Sequence, residues 1–141
     1  MLISNTATSN GEGFLFAPGS SNTLSGNVAR SNSEDGFDLT GGSNNVVKGN
    51  TATSNDIMGF ELDDGSGNSL SQNTAKSNTL DGFFVLTLPF GNTLSSNAAN
   101  SNGNWGYEDQ STGSGTAGTA NTYTGNTCSG NTLGCSKPPG L

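Results

Sequence analysis

Apolar residues in this chain come in small, regularly spaced sets. Residues 22–27, 45–50, 68–73, 92–97 and 121–126 each begin and end on asparagine. Their third positions are Leu24, Val47, Leu70, Leu94 and Tyr123. A second element follows at 27–32, 50–55, 73–78 and 97–102, with Ala29, Ala52, Ala75 and Ala99 at its centre, and the chain opens on the same element around Ala7. A third element starts on glycine and an aromatic: Gly13-Phe14, Gly36-Phe37, Gly59-Phe60, Gly82-Phe83 and Gly106-Tyr107. Successive repeats start 23, 23, 24 and 29 residues apart.

Within each element apolar and polar residues alternate, which is the period of a strand. No element is long enough for a helix. One such coil cannot bury its apolar face, whereas stacked coils with parallel strands about 4.8 Å apart can. Crossovers between parallel strands of one sheet are nearly always right-handed. The expected fold is therefore all-β: a right-handed, single-stranded parallel β-helix, a solenoid of about six coils with three short strands per coil.

Alternation also assigns the columns. The Leu/Val, Ala and Phe positions point inward, and the serines at Ser9, Ser31, Ser54, Ser77 and Ser101 are expected to point inward as well. Asparagine tolerates the left-handed region that tight corners need. Stacked carboxamides satisfy one another along a column. Two structural ladders follow: Asn27, Asn50, Asn73 and Asn97, and Asn32, Asn55, Asn78 and Asn102.

Only 29% of the 141 residues are hydrophobic, a composition that would suit a disordered chain were the apolar residues not in register. The net charge of -7 with four basic residues excludes a basic nucleic-acid footprint. No apolar run reaches the length of a membrane span. With no histidine, Ser-His-Asp and Cys-His catalysis are excluded. Two cysteines, Cys128 and Cys135, do not make a zinc site. They either form a disulfide that pins the last coil, as an exported protein would allow, or Cys128 simply fills the alanine column.

The pattern N-x-L-x-x-N-x-A-x-S-N, followed by G-F-x-L, resembles the right-handed β-helix repeat of the pectate-lyase-like and NosD-like superfamily. The resemblance covers nearly the whole chain. It implies a secreted or cell-surface protein. It does not fix a function, because that superfamily carries lyases, hydrolases, epimerases, phage spikes and plain surface proteins. Residues 1–141 are expected to form one β-helix domain, the C-terminal part of a longer protein, since the chain begins inside a coil, at its second strand. The N-terminal coil would then continue into, or stack on, further protein. A Gly/Ser/Thr loop is expected over 109–120 and an irregular tail over 132–141.

Candidate chemistry gathers on the outer side of the third strand. Its outward column reads Leu15, Asp38, Glu61, Phe84 and Glu108, with Trp105 before it and Asp63, Asp64 and the apolar stretch 86–90 after it. In the superfamily that the repeat resembles, this face forms the polysaccharide groove. Carboxylates and a stacking tryptophan suit sugar recognition. Asp38 and Glu61, about 4.8 Å apart across one strand spacing, could also hold a Ca²⁺ ion; no other cofactor is suggested. The expected function is a structural or carbohydrate-binding β-helix module with a polysaccharide partner. The alternative is a fragment of a polysaccharide lyase, glycoside hydrolase or epimerase, although Arg30 and Lys76 fall on the neighbouring strand and do not complete such a site. A further alternative is an ice-binding solenoid, from the outer pairs Thr23/Ser25, Ser69/Ser71, Thr93/Ser95 and Thr122/Thr124, interrupted by Val46/Lys48.

Overall fold

A computed structural model describes all residues, 1–141. The chain winds into a parallel β-helix with three sheets of six strands each. The first sheet takes Leu2–Ile3, Thr23–Ser25, Val46–Lys48, Ser69–Ser71, Thr93–Ser95 and Thr122–Thr124. The second takes Thr6–Thr8, Val28–Arg30, Thr51–Thr53, Thr74–Lys76, Ala98–Asn100 and Thr127–Ser129. The third takes Phe14–Leu15, Phe37–Thr40, Phe60–Asp63, Phe83–Val85, Trp105–Asp109 and Gly134–Lys137. The only helical piece is a single turn, Thr116–Gly118, inside the expected loop.

The columns align residue for residue. Leu2, Leu24, Val47, Leu70, Leu94 and Tyr123 are register partners through the first sheet. Phe14, Phe37, Phe60, Phe83 and Tyr107 stack ring on ring in the third, with centroids 4.7 to 5.0 Å apart. That spacing is set by the strands, so the aromatic stack and the backbone ladder share one period. A close approach explains the glycine before each aromatic. A Cβ on Gly36 would lie 2.7 Å from the Ala52 Cβ and 2.7 Å from the Gly59 carbonyl oxygen of the next coil.

The corners are held by three asparagine ladders, one more than expected. The first runs from Asn5 through Asn27, Asn50, Asn73 and Asn97 to Asn126. The second joins Asn10, Asn32, Asn55, Asn78, Asn102 and Asn131. The third joins Asn22, Asn45, Asn68, Asn92 and Asn121. Asn50 shows the unit. Its Nδ2 donates to Asn73 Oδ1 at 3.0 Å and to the Leu24 carbonyl at 3.0 Å, and its N–H donates to Asn73 Oδ1 at 2.9 Å. Its own Oδ1 accepts from the N–H and Nδ2 of Asn27.

Four expectations need correction. A left-handed residue stands before every ladder asparagine except Asn121, for example Ser54 at φ 56° and Ser77 at φ 55°. The ladder asparagines themselves do not have positive φ. For the same reason the serine column points outward: Ser9, Ser31, Ser54, Ser77 and Ser101 are all exposed, because a left-handed residue breaks the strand alternation. The first strand is Leu2–Ile3, paired with Leu24 and Ser25, so the chain enters at the first sheet, not the second. Finally, Gly134–Lys137 lies within the expected tail yet forms a strand. Ser136 occupies the aromatic column opposite Tyr107, which hid the repeat from view.

Cys128 and Cys135 are disulfide-bonded, with Cα atoms 5.5 Å apart. Cys128 is also the register partner of Ala99. Both readings of this residue therefore hold, and the bond ties the sixth strands of the second and third sheets together.

Asn50→Leu tests the ladder. It orphans buried donors on Asn27 and a buried acceptor on Leu24, each worth about 1–3 kcal/mol. The variant should lose about 3 kcal/mol or more in denaturant unfolding. An unchanged unfolding midpoint would show that the column does not support the corner.

Candidate functional site

Register fixes what the third sheet presents to solvent. Along the stack its outward column reads Leu15, Asp38, Glu61, Phe84, Glu108 and Lys137. Beside it, one residue before each glycine, runs a column of Glu12, Asp35, Met58, Asp81 and Trp105. Asp35 and Asp81 are buried, and each holds the next coil: Asp35 Oδ1 accepts from the Met58 N–H at 2.6 Å, and Asp81 Oδ1 from the Trp105 N–H at 2.7 Å.

The face divides into two halves. At the N-terminal half, Glu12, Glu34, Asp35, Asp38, Glu61 and Asp63 share one patch with no cation among them. Burial, then a hydrogen bond with Asp35, then the charges of Asp35, Asp38 and Asp63 push the Glu61 carboxyl up to about 8. Glu12 is likewise pushed up to about 8 by burial, a hydrogen bond with Glu34 and the surrounding carboxylates. Burial also raises Asp38, against the opposing hydroxyl of Thr40, which donates to Asp38 Oδ1 at 2.6 Å. Burial raises Asp35, opposed by its bonds from Glu61 and the Met58 N–H. Carboxyls half-buried beside other carboxyls thus favour their protonated forms at Glu61 and Glu12.

The C-terminal half is already paired. Glu108 accepts from Lys137 Nζ at 3.0 Å and from Gln110 Nε2 at 3.1 Å and is buried. Trp105 is half-buried, its ring packed against Gly134 of the last coil. The expected site residues thus do not form one constellation. Asp38, Glu61 and Asp63 come together, with Phe84 one coil on. Trp105 and Glu108 lie further along, beside Asp81. Asp64, left-handed at φ 52°, turns away to the corner, where it lines an open cleft with Leu88 and Phe90. Glu12, Glu34 and Asp35 belong to the acidic patch although the outward-column reading passed over them. The signal was present: the residue before the glycine is acidic in Glu12, Asp35 and Asp81.

The other faces differ. Arg30 and Lys76 are exposed on the second sheet. The Thr/Ser pairs of the first sheet are in register, but Val46 and Lys48 stand between Thr23/Ser25 and Ser69/Ser71.

These features define an asparagine-laddered parallel β-helix with an acidic, aromatic lateral face. The sequence matches, over residues 1–135, the family described as "Periplasmic copper-binding protein (NosD)", and the chain belongs to that family. The family places it in an extracytoplasmic compartment, in keeping with its disulfide. No helix is long and apolar enough to cross a membrane. Similar solved structures include two crystal structures of mutants of the periplasmic alginate epimerase AlgG. The first has 22% identity and a TM-score of 0.67 over 79% of this chain and 28% of that one. The other, a double mutant, has 16% identity and a TM-score of 0.64 over 90% and 31%. The chain thus spans less than a third of the length of these epimerases, and the likeness is one of fold. No curated protein matches the sequence.

Copper sites draw on imidazole, thiolate and thioether donors. This chain has no histidine, both cysteines are bonded to each other, and Met58 and Met1 stand apart in the sequence. Its residues do not fit copper. Nor do three or more acids converge on a point that would suit the Ca²⁺ expected beside Asp38 and Glu61; they pair with one another and with the backbone.

The acidic patch has a pH consequence. Glu12 and Glu61 hold protons in the folded state that the unfolded chain releases near its ordinary value of 4.5. Their stabilising contribution is complete below pH 4.5 and lost as pH rises to about 8. Denaturant midpoints should fall across that window, and Glu61→Gln should flatten the fall. A midpoint that rises from pH 5 to 8 would contradict the shared protons.

Proposed function

We propose that the chain is a secreted or cell-surface β-helix module whose third-sheet face binds polysaccharide without transforming it. The observation that carries this reading is the register column itself. It stacks Asp38, Glu61 and Phe84 on one lateral surface, with Trp105 at its edge, while the other two sheets present serine, threonine and scattered bases. Carboxyls that accept from sugar hydroxyls, beside aromatic rings that cover apolar C–H faces, are the ordinary elements of such a surface. The wide spacing along the stack favours an extended chain over a small ligand. The two structural neighbours are forms of a periplasmic alginate epimerase, which supports a polysaccharide partner.

A fragment of a lyase, hydrolase or epimerase is the second reading, favoured by the same neighbours. It requires a basic partner beside the acids. Lys137 is engaged by Glu108, and Arg30 and Lys76 stand on another sheet, so binding without catalysis is the better fit.

A glycan array followed by titration tests the proposal, because Trp105 is the only tryptophan and reports directly in fluorescence. Neutral or acidic polysaccharide should bind and perturb its emission. The combined variant Trp105→Ala, Asp38→Asn, Glu61→Gln, followed by calorimetry, should bind far more weakly. Undiminished binding would move the site off this face, and failure of every glycan would leave a purely structural module.

A further inference from the structure

We propose that the corner between the third and first sheets holds a subsite for one neutral pyranose ring, with Phe90 as its platform. This rests on the glycan-binding reading and adds to it a location and a ligand class.

The corner contains a cleft of about 320 Å³ lined by Ser43, Asp64, Gly65, Ser66, Leu88 and Phe90. It exists because the coils differ in length. The corner after Val85 runs over residues 86–92, against 64–68 and 41–45 in the two preceding coils. The short corners are built from glycine and serine and form a low floor, while the longer one stands up as a wall. That floor cannot be raised, since a Cβ on Gly65 would collide with the Gly42 carbonyl.

The wall is apolar, exposed and anchored. Leu88 is 67% exposed and Phe90 63%. Single exposed apolar residues need no explanation, but a pair on a fixed loop is unusual. The Phe90 N–H donates to the Gly65 carbonyl at 3.3 Å, its carbonyl accepts from Gly67 at 3.4 Å, and the Leu86 N–H donates to Leu62 at 3.0 Å. The buried Pro89 accepts from Asn121 Nδ2 at 3.2 Å, so the loop is also tied to the third ladder. The backbone is therefore held while the two side chains project, and little ordering is left for a ligand to impose.

The polar side of the cleft selects the ligand. It offers the hydroxyls of Ser43 and Ser66, 3.3 Å apart, and the exposed carboxylate of Asp64. No base lines it. A pyranose presents an apolar C–H face to Phe90 and Leu88 and hydroxyls that donate to Asp64. A uronate would set a second carboxylate against Asp64 with no cation to offset it.

The test is calorimetric titration of the full chain with cellotetraose and, separately, with tetragalacturonate. Cellotetraose should bind and tetragalacturonate should not. Phe90→Ala and Asp64→Asn should each weaken cellotetraose by about tenfold, the scale of one aromatic or charge-assisted contact. Lys76→Ala, on the second sheet, should leave it unchanged. Both substituted side chains are exposed, and circular dichroism checks that the variants stay folded. Tetragalacturonate binding as tightly as cellotetraose overturns the ligand class. Cellotetraose binding that ignores Phe90→Ala and Asp64→Asn but falls with Trp105→Ala overturns the subsite and leaves the wider face standing. No binding of any glycan overturns both.

Discussion

A carboxamide has two donors and an acceptor that takes two bonds, and a parallel stack of coils asks for that set of groups at every corner. Each strand here is two to five residues long, so a large share of the backbone lies in corners, and many corner residues are buried. Buried peptide groups without partners would each cost about 1–3 kcal/mol. The ladder asparagine removes that cost. Its Oδ1 caps the N–H of the asparagine one coil away, its Nδ2 reaches a strand carbonyl, and the remaining bond joins the neighbouring carboxamide. The central coils each contribute two aliphatics, one alanine and one aromatic, such as Leu24, Leu39, Ala29 and Phe37, a small apolar load for the surface enclosed. Without satisfied corners, so little apolar burial would not hold three-residue strands in register.

Because the ladders fix register, whatever side chains the outer columns carry are brought together, and on the third sheet only Asp35 and Asp81 also hold a backbone N–H of the next coil. On the third sheet this gathering is costly. Acids stack on acids, and their burial and mutual charge push the Glu12 and Glu61 carboxyls well above the usual carboxylate range. Further along, Glu108 is offset by Lys137. The first and second sheets carry no comparable cluster. Asp38, Glu61 and Asp63 hold no backbone group of a neighbouring coil, which is why the third face carries the functional reading.

Much of the architecture was legible because alternation and repeat length impose it. The Leu24, Ala29 and Phe37 columns, the aromatic stack and two ladders follow from spacing alone. The misreadings fall where alternation stops. Ser54 looks like a continuation of the strand Thr51–Thr53, yet its positive φ turns it outward. Asp63 and Asp64 are neighbours in sequence, but the left-handed turn at Asp64 sends one to the sheet face and the other to the corner cleft. Gly134–Lys137 lacks the glycine-aromatic signature, so only its pairing with Trp105–Asp109 reveals the third strand of the sixth coil. Asp35 sits in a column that the repeat makes visible, but its place beside Glu61 depends on the fold of the corner.

The account stands on the ladder, and side-chain exchange measures it most directly. Hydrogen–deuterium exchange of the asparagine carboxamides, resolved by NMR, separates residues inside the stack from those outside it. The Nδ2 protons of Asn50, Asn73 and Asn97, buried and doubly bonded, should exchange far more slowly than those of the exposed Asn44. Exchange of all four at the same rate would contradict the claim that these ladders hold the coils together.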